Sequence, residues 1–542
     1  MRTQNILFLA TALFGGCDTA LDDAIDPSEL TKGDEGKADS SVEAIFMDFD
    51  FDGDLLTSSW GDNRSVIQDQ LLFTIGHLNG TRGVGRLDKL TLSNVTTTME
   101  SGLRRIRYHA KMPVAWGSRT NLPRSYSFTL PRDVSYEGQE AFTAKYKASC
   151  VDWGAHDVNS GSMWYYYRPS KAGCVLDASD VVKTTATCTV SSTNTTGKYP
   201  EYHKVWEDKT LKVVAVFGKF EDGATSTSDA GIAAYNEFVG RIRTRLANYP
   251  TVTVPATIPT APGVGNPDVQ FTATLPGGRS IQVNVLLVDK VSTASEVFFS
   301  RYSQLATRAD LIAYNGHAGL GQNVRALAKR GTWVTGQYLI LFMNGCDTFA
   351  YVDGSLADTR AAFNPGDPSG TKYMDIVTNG MPAFFASDAS ATMALVEGLL
   401  AVDNPVTYEG MFRNIDASQV VLVTGEQDNI YYPGYMPGGG GNNPPPWAGI
   451  DQSATVARNV EMRWQTPALP AGSYQFQITG SGDADLYVRT GSAPTTSTYD
   501  CRPYKAGSNE SCLATVNSGA TVHVMVRGYA QSSSFRLVAK KQ

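Results

Sequence analysis

Two short stretches of this chain place reactive side chains where they could act together. "ADLIAYNGHAGLG" is an apolar run that stops at Asn315-Gly316 and then delivers His317. "YLILFMNGCDT" repeats the arrangement, stopping at Asn344-Gly345 before Cys346, 29 residues further on. A thiol becomes a strong nucleophile only once deprotonated, and a nearby imidazole can take that proton and return it to a leaving group. Gly316 and Gly345 would let a substrate backbone approach closely. Backbone N–H groups around Gly316, Ala318 and Gly345–Cys346 are candidates to hold an oxyanion. Asp289, which closes the run "NVLLVD", is a candidate to orient His317; Asp347 and Asp388 are candidate acids for a specificity pocket, or else caps and turn residues.

Such a pair needs two neighbouring strands that point the same way. From about residue 205 the chain alternates apolar runs with helical patterns: "LKVVAVFGKF", "DAGIAAYNEFVGRIRTRLANY", "RSIQVNVLLVD", "ASEVFFSRYSQLATR", "ADLIAYNGHAG", "QNVRALAKRG", "QYLILFMNGC", "SATMALVEGLLA" and "SQVVLVTGEQ". Continuous apolar strands separated by helices imply a mostly parallel sheet covered on both faces. One strand–helix–strand crossover between His317 and Cys346 puts both beyond the same sheet edge.

With that frame, residues 205–432 resemble the caspase-like cysteine peptidases, on the gingipain side, which carry His-Gly after one apolar strand and Cys after the next. The resemblance implies a caspase-like α/β fold, with His317 as general base and Cys346 as nucleophile of a peptidase acting on peptides or proteins. Two positions depart from the family pattern. Ala318 stands where glycine usually follows the histidine. Asn344 stands where relatives specific for Arg or Lys carry Asp, so cleavage after basic residues is not implied. The alternative is an inactive caspase-like surface lipoprotein used as a binding scaffold.

The rest of the chain frames this centre. Its 542 residues exceed one core and imply several domains. Residues 1–17 form a short apolar signal in which Leu13-Phe14-Gly15-Gly16-Cys17 resembles a bacterial lipobox, implying lipidation of Cys17, export, and membrane contact through that anchor alone. Residues 18–42 are an acidic tether. Residues 43–204 read as mainly β. Inside them Asp48, Asp50 and Asp52 copy the start of a calcium loop, but the twelfth position is Ser59 rather than Glu. The alternation of Ile45, Met47, Phe49 and Phe51 describes a strand instead. Trp164 to Tyr167 read as a strand of alternating aromatics, in a core or on a binding surface. Residues 433–450 are a Gly/Pro linker and 451–542 a run of short strands, a β-sandwich. Within the last segment "GSGDADLYVRTGSAPTTSTYDCRPYKAGSNESC" resembles the bacterial pre-peptidase C-terminal domain, found on many secreted peptidases.

Composition narrows the chemistry. A net charge of −7 over this length offers no basic footprint for nucleic acid. Six histidines with no HExxH give no metal centre, and no cofactor is expected beyond calcium at Asp48–Asp52 or at Asp483 and Asp485, which the residues prompt without supporting. Export makes disulfides the default, placing the chain at the cell envelope or outside it. Cys501 and Cys512 bracket a polar loop and are expected to pair. Cys150, Cys174 and Cys188 cannot all pair among themselves: if Cys150 joins Cys174, Cys188 is free or reaches Cys346.

Overall fold

The computed structural model describes residues 24–25, 39–191, 193–426, 429, 431, 433, 435, 447, 449–467, 469, 472–516 and 520–541. The signal, Cys17, most of the acidic tether and most of the Gly/Pro linker lie outside the described residues.

The N-terminal part is built on the long antiparallel pair β1 (Ile45–Thr57) and β2 (Leu103–Trp116). Strands 83–85 and 91–100 also pair with β2, and 181–190 and 125–131 extend the sheet on the β1 side. Alternation works as the sequence implies: Ile45, Met47, Phe49 and Phe51 are buried. Asp48, Asp50 and Asp52 face bases on β2, with Lys111 Nζ 3.0 Å from Asp48, and the two ring nitrogens of His109 each 2.9 Å from Asp50 and Asp52.

This part is less purely β than its sequence reads. Helix α1 (Asn63–Asn79) crosses it, started by Asp62, whose carboxylate accepts from the Ser65 N–H at 3.0 Å. Its C-terminal half is buried nearly all round, so it carries no polar stripe to reveal a helical period. The aromatic run is a single helical turn, α2 (Met163–Tyr166), not a strand. Helix geometry therefore splits its side chains: Met163, Trp164 and Tyr167 enter the core while Tyr165 and Tyr166 remain half-buried.

The central part is one sheet. Strand β3 (Thr210–Gly218) pairs in parallel with β4 (Arg279–Val288) on one side and with β5 (Leu311–Asn315) on the other. Then follow β6 (Leu339–Asn344) and β7 (Met374–Asn379), both parallel. Antiparallel strands close both flanks, 268–275 and 251–254 beyond β4, and β8 (Val421–Gly425) and 40–41 beyond β7. Side chains alternate across the sheet into two cores. Val213, Ala215 and Phe217 pack beneath α3 (Ala230–Leu246) and α6 (Phe385–Leu400). Val214 and Val216 face α4 (Glu296–Ala306) and α5 (Gln322–Arg330). That second core is continuous with Phe46, Phe49 and Tyr167 of the N-terminal part. Burial on both faces is why these strands read as unbroken apolar runs.

Residues 450–541 form two antiparallel sheets of four and three strands around Trp464, Tyr474, Phe476, Leu486 and Leu537, a β-sandwich as the alternation implies.

Candidate functional site

The strand order β4-β3-β5-β6-β7 reverses direction between β3 and β5, whose following loops diverge to opposite sides. In such sheets ligands collect beyond the carboxyl ends of the strands at this switch point. A cavity of about 590 Å³ opens there. Its floor and rim come from the loops after β3, β4, β5 and β6, and Tyr165, Tyr166 and His156 of the N-terminal part form a wall.

The sheet register explains how His317 and Cys346 both reach this cavity. Asn315 of β5 is registered with Asn344 of β6, and each reactive residue stands two positions beyond that pair. Gly345 must be glycine, since a Cβ there would lie 2.7 Å from the Gly316 carbonyl oxygen. Gly316 adopts φ +143°, a conformation that favours glycine. Two non-glycine residues beside the site are also left-handed, Leu320 at φ +49° and Asp347 at φ +51°, the kind of backbone strain that collects where a fold holds a site open.

His317 and Cys346 both line the cavity, and each is engaged by a different backbone carbonyl. The His317 ring lies between Phe220 and Phe385, with centroids 5.2 and 5.0 Å away, and its Nε2 is 3.2 Å from the Phe220 carbonyl oxygen. A carbonyl only accepts, so Nε2 carries a proton there. The Cys346 thiol contacts the Ala383 carbonyl at 3.8 Å. Burial first, and the Asp347 charge second, push it up to about 12. A thiol held that high is neutral near pH 7, the opposite of an activated nucleophile. Cys346 and Cys188 are both free thiols, which excludes a bond between them. Cys150 is joined to Cys174 and Cys501 to Cys512.

The three acids also take other roles. Asp289 does not orient His317; it pairs with Lys219 at 2.7 Å, accepts from the Gly223 N–H at 3.0 Å, and is held below the usual carboxylate range by that lysine. Asp388 is buried in the first turn of α6 itself, where burial keeps its carboxyl protonated, and it accepts from Asn344 Nδ2 at 3.0 Å. Asp347 accepts from Asn79 Nδ2 of α1 at 2.8 Å, and burial pushes its carboxyl up to about 6 against the opposing Tyr165 hydroxyl and Arg168 guanidinium. It links the two parts of the molecule and does not line the cavity. Ala318 is buried at the cavity edge.

Asn344 has a structural role that its sequence context displays. Three consecutive strands end in Asn-Gly, at 315–316, 344–345 and 379–380. Asn344 Nδ2 donates to Asn315 Oδ1 at 2.9 Å, and Asn379 Nδ2 donates to Asn344 Oδ1 at 3.0 Å. Thr392 of α6 also donates to Asn315, at 2.9 Å. All three asparagines are fully buried, so this ladder ties the ends of β5, β6 and β7 together. The repeated Asn-Gly was the available signal.

Among the described residues no group of three or more His, Cys, Asp or Glu is placed to hold a metal ion. Asp485 of the sandwich pairs with Arg502 at 2.7 Å, and Asp483 accepts from the Gly507 N–H at 2.9 Å.

Residues 469–528 match the family model described as the bacterial pre-peptidase C-terminal domain. A virulence metalloprotease of Vibrio anguillarum is 59% identical over 58 residues, 11% of this chain and 10% of that one. A zinc metalloprotease of Helicobacter pylori is 52% identical over 68 residues, 12% and 27% of the two chains. The chain thus spans about a quarter or less of the length of these curated relatives. A solution structure titled vEP C-ter 100 aligns at 40% identity over 16% of this chain and 88% of that one, with TM-score 0.15. These findings overturn the cysteine endopeptidase expected from His317 and Cys346, along with its caspase-like scaffold alternative. These two relatives are named metalloproteases and another, of Vibrio alginolyticus, an alkaline serine exoprotease; no comparison supports a caspase-like peptidase domain, and none supports the lipid anchor placed at Cys17. What is shown is the last module: this chain carries a bacterial pre-peptidase C-terminal domain.

Proposed function

We propose that this is an exported protein that acts on polypeptides, received in the cavity at the switch point of the central sheet. The observation that carries the reading is this pairing: a chain with a pre-peptidase C-terminal domain also has a mainly apolar cavity where such sheets bind ligands. The strained turn at Leu320, which lines the cavity, supports a binding role for the same place. We assign residues 43–204, 205–432 and 451–542 as three modules, the first two sharing one core, and regard the parallel strand order as support for a caspase-like fold in the second.

The test is incubation of the full chain with fluorescein-labelled casein, following both binding and cleavage. Parallel samples contain a metal chelator, a serine-directed reagent or a thiol-directed reagent. Casein should be bound or cut, and Phe220→Ala should reduce the effect several-fold. If casein is neither bound nor cleaved, the proposal fails.

A further inference from the structure

A second cavity, of about 540 Å³, adjoins the first beyond the ends of β3 and β4. The two share Lys219, Asp222, Asp289 and Lys290 as a common border. The far end of the second is apolar, lined by Val264, Leu287 and Phe298. The far end of the first is aromatic, lined by Tyr165, Tyr166, Leu320 and Tyr351. The charges at the border neutralise one another, Lys219 with Asp289 at 2.7 Å and Lys290 with Asp222 at 3.1 Å. Burial keeps the Tyr165, Tyr166 and Tyr351 hydroxyls protonated, so they add no charge to the aromatic end.

Together the cavities make one groove across the carboxyl ends of β4, β3, β5 and β6. Four neighbouring strands span three inter-strand spacings, about 14 Å. An extended chain advances about 3.3 Å per residue, so about four residues bridge the groove from end to end. An apolar pocket at each end and a self-neutralised middle suit a segment with two bulky apolar side chains and small or polar residues between them. A basic side chain finds no unpaired buried acid in either end pocket, because Asp347 and Asp388 lie outside the lining.

We infer that the groove binds an extended polypeptide segment through two bulky apolar side chains about four positions apart, one against Tyr165 and Tyr166 and the other against Phe298. This inference rests on the polypeptide reading above and names its substrate class. It also makes the N-terminal part a contributor to specificity, since Tyr165 and Tyr166 are specificity-determining residues supplied by α2 to a cavity floored by the central sheet.

The experiment measures binding of fluorescein-labelled octapeptides to the full chain by anisotropy. One peptide carries two Phe residues four positions apart in a Gly/Ser background. Others carry a single Phe, two Lys, two adjacent Phe, or Ser and Gly alone. The spaced pair should bind at least ten-fold more tightly than every other peptide. Tyr166→Ala and Phe298→Ala, checked for unchanged melting, should each bring its affinity down to that of the single-Phe peptide. Equal binding of all peptides, or tighter binding of the Lys peptide, overturns the inference while leaving the polypeptide reading intact. Failure of the wild-type chain to bind casein and every octapeptide overturns both. The wild-type peptide ranking decides the matter even if a variant fails to fold.

Discussion

Asp347 shows how one residue can look like a pocket acid in sequence and be architectural in space. It follows Cys346 directly, yet its carboxyl is fully buried and held by Asn79, which in turn accepts from Arg168 at 2.5 Å. Because its pKa is raised to about 6 in the fold, the protonated form is favoured there. Stability from this group is full below the unfolded value near 4 and is lost as pH rises through 6. Asp347→Asn keeps an oxygen for Asn79 and removes the cost of ionisation, on the order of 3 kcal/mol for about two pH units. Urea denaturation at pH 7 should find the variant more stable, with a flatter profile between pH 4 and 6. A destabilised variant with an unchanged profile would contradict this account. His77 has the opposite sign. It is buried beside Tyr126 with its pKa lowered to about 4 by burial, so its contribution is present above pH 6.5 and is lost as pH falls toward 4. His77→Gln should weaken acid sensitivity in that window. The thiol gives a direct chemical check: with Cys346 pushed up to about 12, iodoacetamide should label it far more slowly at pH 7 than a free cysteine. Rapid stoichiometric labelling at neutral pH would reverse the demotion of Cys346.

At the scale of elements, the site depends on a few ties between strand ends and loops. Asp229 caps α3 by accepting from the Ile232 N–H at 3.0 Å, and the same carboxylate accepts from the Phe220 and Glu221 N–H groups at 3.1 and 2.9 Å. Burial would raise its pKa, but these donors leave it lowered. Asp229→Ala should cost about 1 kcal/mol of stability as a lost cap, and should also release the loop that holds Phe220 against His317. Hydrogen exchange of residues 219–223 should speed up while α6 stays protected; equal exchange would separate cap from loop. The Cys150–Cys174 bond closes a loop over a separation of 24 residues that carries α2 and so the aromatic wall. Its removal should cost roughly 3 kcal/mol by chain entropy, measurable as a shift in the urea midpoint on changing both residues to Ser. The strands of the central sheet were legible because apolar runs alternating with helical stripes have few other solutions. α1 and α2 were not. A helix buried nearly all round hides its period, and a single turn is too short to have one.

For the whole molecule, the informative feature is that its parts share a core and a cavity. Val214 and Val216 of β3 pack in the same cluster as Phe46 and Tyr167, so the N-terminal part and the central sheet should lose structure together. Near-ultraviolet circular dichroism and sheet content should melt in one step for residues 39–426. Two well-separated transitions there would show that the interface contributes little. Read alone, the sequence determined a good deal: the parallel apolar strands, the sandwich, the pre-peptidase C-terminal module and the arrival of His317 and Cys346 beyond neighbouring strands. Each of these follows from local periodicity, or from a motif contained in one stretch of chain. What only the tertiary structure decided is what those side chains meet. The Phe220 carbonyl that engages His317, the burial that keeps Cys346 protonated, and the Asn79–Asp347 tie all join residues far apart in sequence. Protonation states are set by desolvation and by neighbours in space, and neither leaves a periodic trace along the chain.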